Sequence, residues 1–430
     1  MILILYTTHY RSGSDEFARI AQTMHREISD RYSVEIISKG IFSKKDLLNS
    51  FQEIASQNKT MDEFHFIGHS GMYGPMFGTI EYPEQMSPFE WKNFKIPFSN
   101  HAKAFFHCCR SARWFAPFFA RTFGVETFGY HWYTSFSADK NTFVKIKSTD
   151  KNTYAVGCIG RKSHGIRGSI KKYFTKLPLE KMISFQPEKN LVDASYDRVA
   201  RMYADVFTDI KVREDEWNWL MKHFPKDKKP IVLDIGCGNG ALLKELSPVI
   251  SQGLGLDASK EIVEIAKDTH KEIHNLKFEI INGPKLPVED QSVDLVISLL
   301  SFRYLDWDPL MDEIKRILRP GGKVLIIDMI TVPVRWFEFP DLLISKFKHY
   351  WQRKKYKSFY ENLTKLVNDP AWKEMLKYNP IRAEHEMKWY LESRFPGKKI
   401  EKINIGWNSS ILAFDSGDIE NIKDIYLPYP

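Results

Sequence analysis

IVLDIGCGNGALLKEL, residues 231–246, decides how the second half of this chain is read. Ile231 to Ile235 form a short apolar run rich in branched residues, the composition of a buried strand. Gly236, Gly238 and Gly240 follow at alternate positions, and Ala241 opens a helical pattern. Glycines there let the backbone turn tightly and let a ligand approach without meeting a Cβ atom. A bare G-x-G-x-G is not specific, because dinucleotide enzymes use similar loops. The neighbouring strands narrow the choice. Asp234 precedes the glycines, Asp257 ends the next strand (GLGLD) and Asn282 ends a third (KFEIIN). Three strand tips therefore bring polar groups to the C-terminal edge of one sheet, where open α/β sheets bind ligands.

Moving outward, the chain has 430 residues, of which 43% are hydrophobic, and 62 Lys/Arg against 54 Asp/Glu. That length suits two domains, each with a sizeable core. Four cysteines (Cys108, Cys109, Cys158, Cys237) are too few for a disulfide scaffold. They fit a reducing compartment, and a cytoplasmic location is expected. The apolar start MILILYTTHYRSG has no basic leader, and no run is long enough to span a bilayer. The charge is uneven. Residues 1–180 hold 24 Lys/Arg against 16 Asp/Glu, and the remainder hold 38 of each. The excess gathers in 151–176, which reads as a solvated basic face or linker.

Both halves alternate strands and helices, so two doubly wound α/β domains are expected. The boundaries are 1–176, a linker at 177–192, and 193–430 with a helical insertion at about 335–395. In the first half the strands are ILILYT, VEIIS, EFHFIG and AKAFFHCC, with TYAVGCIG expected to close the sheet. Within the insertion, KFKHYWQRKKYK (346–357) interleaves bases with aromatics. It reads as a solvated amphipathic helix, with nucleic acid or an anionic surface as the alternative.

The second half resembles the class I S-adenosylmethionine-dependent methyltransferases of the small-molecule-type group. VLDIGCGNG is similar to their first motif, GLGLDASKEIVEIAK to the acidic-loop motif, and INGPKLPVEDQSVDLVIS to the adenine-loop and fourth-strand motifs. EIKRILRPGGKVLIID resembles the segment that follows, and YDRVARMYADVF carries Tyr196 and Tyr203 near the usual cofactor lid. The resemblance implies a seven-stranded Rossmann-like sheet and S-adenosyl-L-methionine as cofactor. It implies that Asp234, Gly236 and Gly238 line the methionine part, that Asp257 binds the ribose, and that Cys237 and Ala258 also contact the cofactor. Asn282 would lie near the adenine, where the family usually has Asp. Ser298 and Leu299 would lie beneath the sulfonium. Methyl transfer needs alignment above all, and a base only if the acceptor must lose a proton. Arg303, Tyr304, Asp306 and His349 are candidates without a motif behind them. The acceptor is expected to be a small molecule or peptide, with nucleic acid possible.

In the first half, FHFIGHSGMYGP (64–75) ends an apolar run in His, Ser and Gly. A serine elbow would require G-x-S-x-G on a strand-to-helix turn. Gly68-His69-Ser70-Gly71-Met72 lacks the final Gly, and no helical pattern follows. His69 as a base fits better. The next strand leads to Cys109, 40 residues on, and adjacent parallel strands put such tips side by side. HSGMYGPMFGTIEY and HCCRSA are similar to the His loop and the Cys run of the caspase and metacaspase clan. The resemblance implies a caspase-like sheet with His69 and Cys109 as catalytic pair. Ser70 stands where that clan has Gly, His107 where it has Gln or Asp, and Ala112 where it has Gly. The alternatives are that cysteine peptidase activity is the main function, or that the domain is an inactive scaffold that recruits the methylation substrate. No paired C-x-x-C or H-x-x-x-H spacing suggests a metal.

Overall fold

The computed structural model describes residues 1–420 except 72, 94, 160–178, 188–195, 282, 284, 333, 379–380 and 408. The chain falls into two compact units, Met1–Val192 and Asp193–Pro430.

The first unit is built on a six-stranded sheet. Its spatial order is Ile183–Phe185, Glu126–Gly129, Phe98–His107, Met61–Ile67, Ile2–Thr7 and Ile36–Ile41. The first pairing is antiparallel and the other four are parallel. Alternation along the strand Ile2–Thr7 explains the layers. Leu3 and Leu5 join a core with Leu47, Phe51 and Ile54 of the helix Lys44–Ser56. Ile2 and Ile4 join a separate core with Phe17, Ile20 and Ala21 of the helix Ser14–Ser29. Helices thus cover both faces, as parallel strands demand. The helix Lys44–Ser56 starts with a capping box: Ser43 Oγ accepts from Asp46 N at 3.1 Å and Asp46 Oδ2 accepts from Ser43 N at 3.0 Å.

Two expectations need correcting. TYAVGCIG does not close the main sheet. Its strand Tyr154–Cys158 sits in a separate antiparallel sheet between Tyr133–Ser137 and Leu179–Glu180. The edge of the main sheet comes instead from the stretch read as linker. Ile183–Phe185 pairs antiparallel with Thr127–Gly129, and three residues suffice because the partner strand is itself short. Most of the basic run 151–176 lies outside the described residues.

The second unit holds a seven-stranded sheet. Its spatial order is Leu276–Ile280, Gln252–Asp257, Ile231–Ile235, Val293–Leu299, Leu318–Thr331, Ser409–Asp415 and Glu401–Ile405. The first five run parallel, and Ser409–Asp415 is antiparallel to both neighbours. The chain starts at Ile231–Ile235, steps outward twice, then returns to the other side at Val293–Leu299. That reversal opens a crevice above the glycine turn. The helix Trp307–Ile317 buries Leu310, Met311, Ile314 and Ile317 as one stripe. Residues 335–395 fold as a short 3-10 turn, Trp336–Glu338, and the helices Phe339–Lys355, Lys357–Asn368, Pro370–Tyr378 and Glu384–Arg394.

Candidate functional site

The glycine turn after Ile235 is enforced by geometry. Gly236, Gly238 and Gly240 take φ of 76°, 54° and 77°, in the region that L-residues with a Cβ avoid. At Gly236 there is also no space, since a Cβ would lie within 2.5 Å of Ser301 Oγ. At Gly238 a Cβ would come within 3.1 Å of the Tyr203 ring. The turn is pinned from the next strand, with Leu256 O accepting from Gly236 N (2.7 Å) and Cys237 N (3.0 Å).

Two carboxyls face this turn. Asp257 Oδ2 accepts from Gly238 N at 3.0 Å, and its Oδ1 accepts from Ser259 N at 2.9 Å. Its carboxyl is held above the usual range, because burial outweighs the backbone N–H groups of Ser259, Gly238 and Ala258. Asp234 is more extreme. It is 2% exposed, and its Oδ1 is buried with no hydrogen-bond partner among the described residues. Burial, with the nearby Asp257 charge second, pushes its pKa up to about 8. A buried acceptor left open is costly unless a donor or cation arrives from outside the protein. Cys237 is buried beside these carboxyls, which drives its thiol far from ionisation. It lines the turn as an apolar group.

Ser298 is 3% exposed, and its hydroxyl is already engaged. It donates to Ile235 O at 3.2 Å and lies 2.8 Å from Ser301 Oγ, which donates to the same carbonyl at 2.6 Å. The two serines thus bind the strand tips on either side of the crevice. Asn282 lies outside the described residues. Of the candidate bases, Arg303 is buried and paired with the fully buried Asp328 through its side chain and its backbone N–H. His349 is exposed on Phe339–Lys355, and its Nδ1 lies 3.4 Å from Tyr360 Oη. Asp306 stands at the N-cap position of the helix Trp307–Ile317 without a side-chain capping bond.

The sequence reading missed several parts. Ser301 belongs to no motif quoted above, and Asp328, the last residue of EIKRILRPGGKVLIID, is given no role there. Asp197, inside YDRVARMYADVF, accepts from Ser259 Oγ and from Glu261 N, so it ties the upstream segment to the Asp257 loop. Tyr203, on the helix Ala200–Val206, is partly buried over Gly238, and desolvation raises its hydroxyl to about 12.

In the first unit, Ile67 pairs with His107, so the His69 loop and the Cys109 loop leave adjacent strand ends. They are tied together, because Ser70 Oγ donates to Cys109 O. His69 Nε2 lies 2.9 Å from Ser12 O. A carbonyl can only accept, so Nε2 carries the hydrogen and the lone pair of the neutral ring is on Nδ1. Cys109 Sγ accepts from Thr134 N at 3.4 Å and lies 3.3 Å from Thr134 Oγ1. Cys108 is wholly buried, and burial pushes its thiol up to about 12. Behind the strands, His65 Nδ1 lies 3.1 Å from His107 Nε2, which occupies the position expected to matter for substrate choice. Among the described residues, no group of three or more His, Cys, Asp or Glu could hold a metal ion.

Comparison with known proteins bears on the second unit. Residues 233–326 match the family model of a methyltransferase domain. Malonyl-(acyl-carrier protein) O-methyltransferase of Marinomonas is 30% identical over 146 residues, 33% of this chain and 53% of that protein. Demethylmenaquinone methyltransferase of Oceanobacillus iheyensis is 28% identical over 210 residues, 46% of this chain and 78% of that protein. This chain thus spans only about half of the Marinomonas relative's own length. A solved S-adenosylmethionine-dependent methyltransferase of Aquifex aeolicus is 17% identical and covers 52% of this chain and 99% of its own, with TM-score 0.34. The second unit carries a class I S-adenosylmethionine-dependent methyltransferase domain, and S-adenosyl-L-methionine is its cofactor.

Proposed function

We propose that the second unit transfers a methyl group from S-adenosylmethionine to a small-molecule or peptide acceptor held beside the helical insertion. One observation carries the reading: Asp234 presents a buried, unsatisfied oxygen next to a turn that only glycine can make. The cofactor's ammonium group answers that oxygen. Gly236, Cys237 and Gly238 leave the space for its methionine part. Asp257, oriented by the N–H groups of Gly238, Ala258 and Ser259, accepts from the ribose. Ser298 is a positioning residue, acting through the Ile235 carbonyl under the sulfonium, with Leu299 beside it. Asn282 is kept as the adenine contact from the sequence alone.

When bound, the cofactor supplies an already electrophilic methyl carbon. The chain's task is alignment and exclusion of water, which Tyr203 serves by covering the turn. Arg303 is not a base: a guanidinium keeps its protons, and this one is held by Asp328. The two named relatives take unlike acceptors, so neither supplies one for this chain. Calorimetry with S-adenosylhomocysteine tests the reading. Binding should appear in the native chain, vanish in Gly236→Val and weaken about 10- to 100-fold in Asp257→Ala. Undiminished binding in both variants rejects it.

A second reading rests on a separate observation, the joined His69 and Cys109 loops at adjacent strand ends. We propose that the first unit is caspase-like, with Cys109 as nucleophile and His69 Nδ1 as its base. A thiol-directed peptide probe should label Cys109 and spare Cys108. Absence of labelling in folded protein would leave a scaffold that recruits the substrate. Among the described residues no disulfide joins the four cysteines, in keeping with a reducing, cytoplasmic setting. Among the described residues no helix is long and apolar enough to cross a membrane.

A further inference from the structure

The helix Phe339–Lys355 is amphipathic the wrong way round for a globular protein. It buries only Leu342 and Gln352. Leu343, Ile344 and Phe347 are 65%, 66% and 67% exposed, and Tyr350 and Trp351 are more than half exposed. At ~100° per residue these five and Phe339 share one arc of about 140°. That arc lies opposite the buried stripe. Trp336, 83% exposed, and Trp407 extend it at the near end, where Trp407 meets Phe339 edge-on at 5.9 Å.

Cations rim this face. Lys346 sits over the Trp407 ring at 4.7 Å. Lys354 sits over Tyr350 at 4.6 Å and Trp351 at 5.3 Å. Arg353 lies on the same edge as Lys346 and is exposed. Lys348 and Lys355 form the other edge, where they pair with Asp215 and Glu214. Asp341 is the only exposed acid on the helix. An exposed apolar patch of this extent marks an interaction surface.

We propose that this face seats the protein on an anionic membrane surface. The aliphatic and aromatic side chains enter the boundary between headgroups and acyl chains, and the lysines and arginine meet the lipid anions. Tryptophan and tyrosine beside lysine is the composition that such interfaces favour. A single-stranded nucleic acid fits less well. Leu343, near the centre of the arc, and Ile344, at its edge, cannot stack on a base, and the cations lie at its rim and its end. Phe359 and Leu363 of the next helix, Lys357–Asn368, pack in one cluster with Val206, Phe207 and Tyr203. The docking itself does not depend on the methyl-transfer reading.

Flotation of the full chain with vesicles tests this. It should rise with phosphatidylserine-containing phosphatidylcholine vesicles, stay low with phosphatidylcholine alone, and fall as salt is raised. Tryptophan fluorescence should shift to the blue on binding. Leu343→Asp with Phe347→Asp should lower vesicle affinity tenfold or more, on the order of the lost apolar insertion. Lys346→Glu with Lys354→Glu should lower it by about tenfold or more. All four side chains are exposed, so S-adenosylhomocysteine affinity and circular dichroism should be unchanged. The proposal falls if neither vesicle binds, or if both double variants bind like the native chain. It also falls if the face instead forms a dimer that Leu343→Asp with Phe347→Asp dissolves, or prefers single-stranded nucleic acid.

Discussion

The two units pose the same question to the same architecture and answer it differently. Each is a parallel sheet with its polar residues at the C-terminal strand ends. In the second unit those groups look outward: Asp234 keeps an unsatisfied buried oxygen, and three left-handed glycines keep the backbone open. In the first unit the groups around His69 and Cys109 bond within the protein, although Thr7 Oγ1 and Arg110 Nε are buried with no partner among the described residues. Ser70 serves the Cys109 carbonyl, His69 meets the Ser12 carbonyl, and Cys109 accepts from Thr134 N. A strand tip with an unmet polar demand asks for a ligand. A strand tip whose demands are met within the protein can position a reactive group but does not by itself call for a bound molecule.

The sharpest way to break this contrast is Gly236→Val. The new side chain meets Ser301 and a disfavoured φ, so unfolding should be easier by roughly 3 kcal/mol and binding of S-adenosylhomocysteine should be lost. Near-native affinity in that variant would mean the open turn is not the ligand's seat. On the other side of the comparison, Cys108 should react with alkylating reagents roughly a thousandfold more slowly at pH 8 than a free thiol, and Cys109 faster than Cys108. Mass spectrometry of the modified peptide reads this directly. Equal modification of both thiols would erase the distinction between them.

Asp257→Ala removes the acceptor for Gly238 N and Ser259 N as well as a ligand contact. Its loss in affinity should be about 10- to 100-fold, the range for hydrogen bonds to a charged group. The finest test is pH. Asp234 is protonated in the free fold up to about pH 8, whereas an unfolded carboxyl ionises near 3.9. Its folded form therefore holds the extra proton between those values. Its contribution to stability is present at low pH and is lost as pH rises towards 8. A ligand cation that needs the carboxylate must displace this proton. Affinity for S-adenosylhomocysteine should rise with pH by up to about tenfold per unit below 8 and then level off. Asp234→Asn should flatten the slope. A native profile without slope would show that the ligand does not use this carboxyl.

Much of the second unit was legible because its signals are local. A strand, three glycines and a following helix occupy one window, and the carboxyls that end successive strands converge once the sheet is parallel. The roles of Ser301 and Asp328 were not legible. Ser301 matters because it fills the space beside Gly236, and Asp328 because it buries the Arg303 guanidinium; both depend on strands brought together from distant positions. The strand Ile183–Phe185 was read as linker for the same reason. Three residues carry too little periodicity to announce a strand, and only the edge at Glu126–Gly129 makes them one. The outward face of Phe339–Lys355 was half legible. Its mixture of bases and aromatics stood out, but which side of the helix is covered depends on what packs beneath it.

By itself the sequence determined the alternation of strands and helices, the glycine turn, and which strands end in oxygen-bearing residues. Those are properties of near neighbours, set by backbone sterics and hydrophobic period. Only the tertiary structure decided that Asp234 would be buried without a partner, that Tyr203 would cover Gly238, and that six large side chains of one helix would face water. Burial and unmet hydrogen-bonding capacity belong to the surroundings of a group, and residues far away in the chain supply those surroundings.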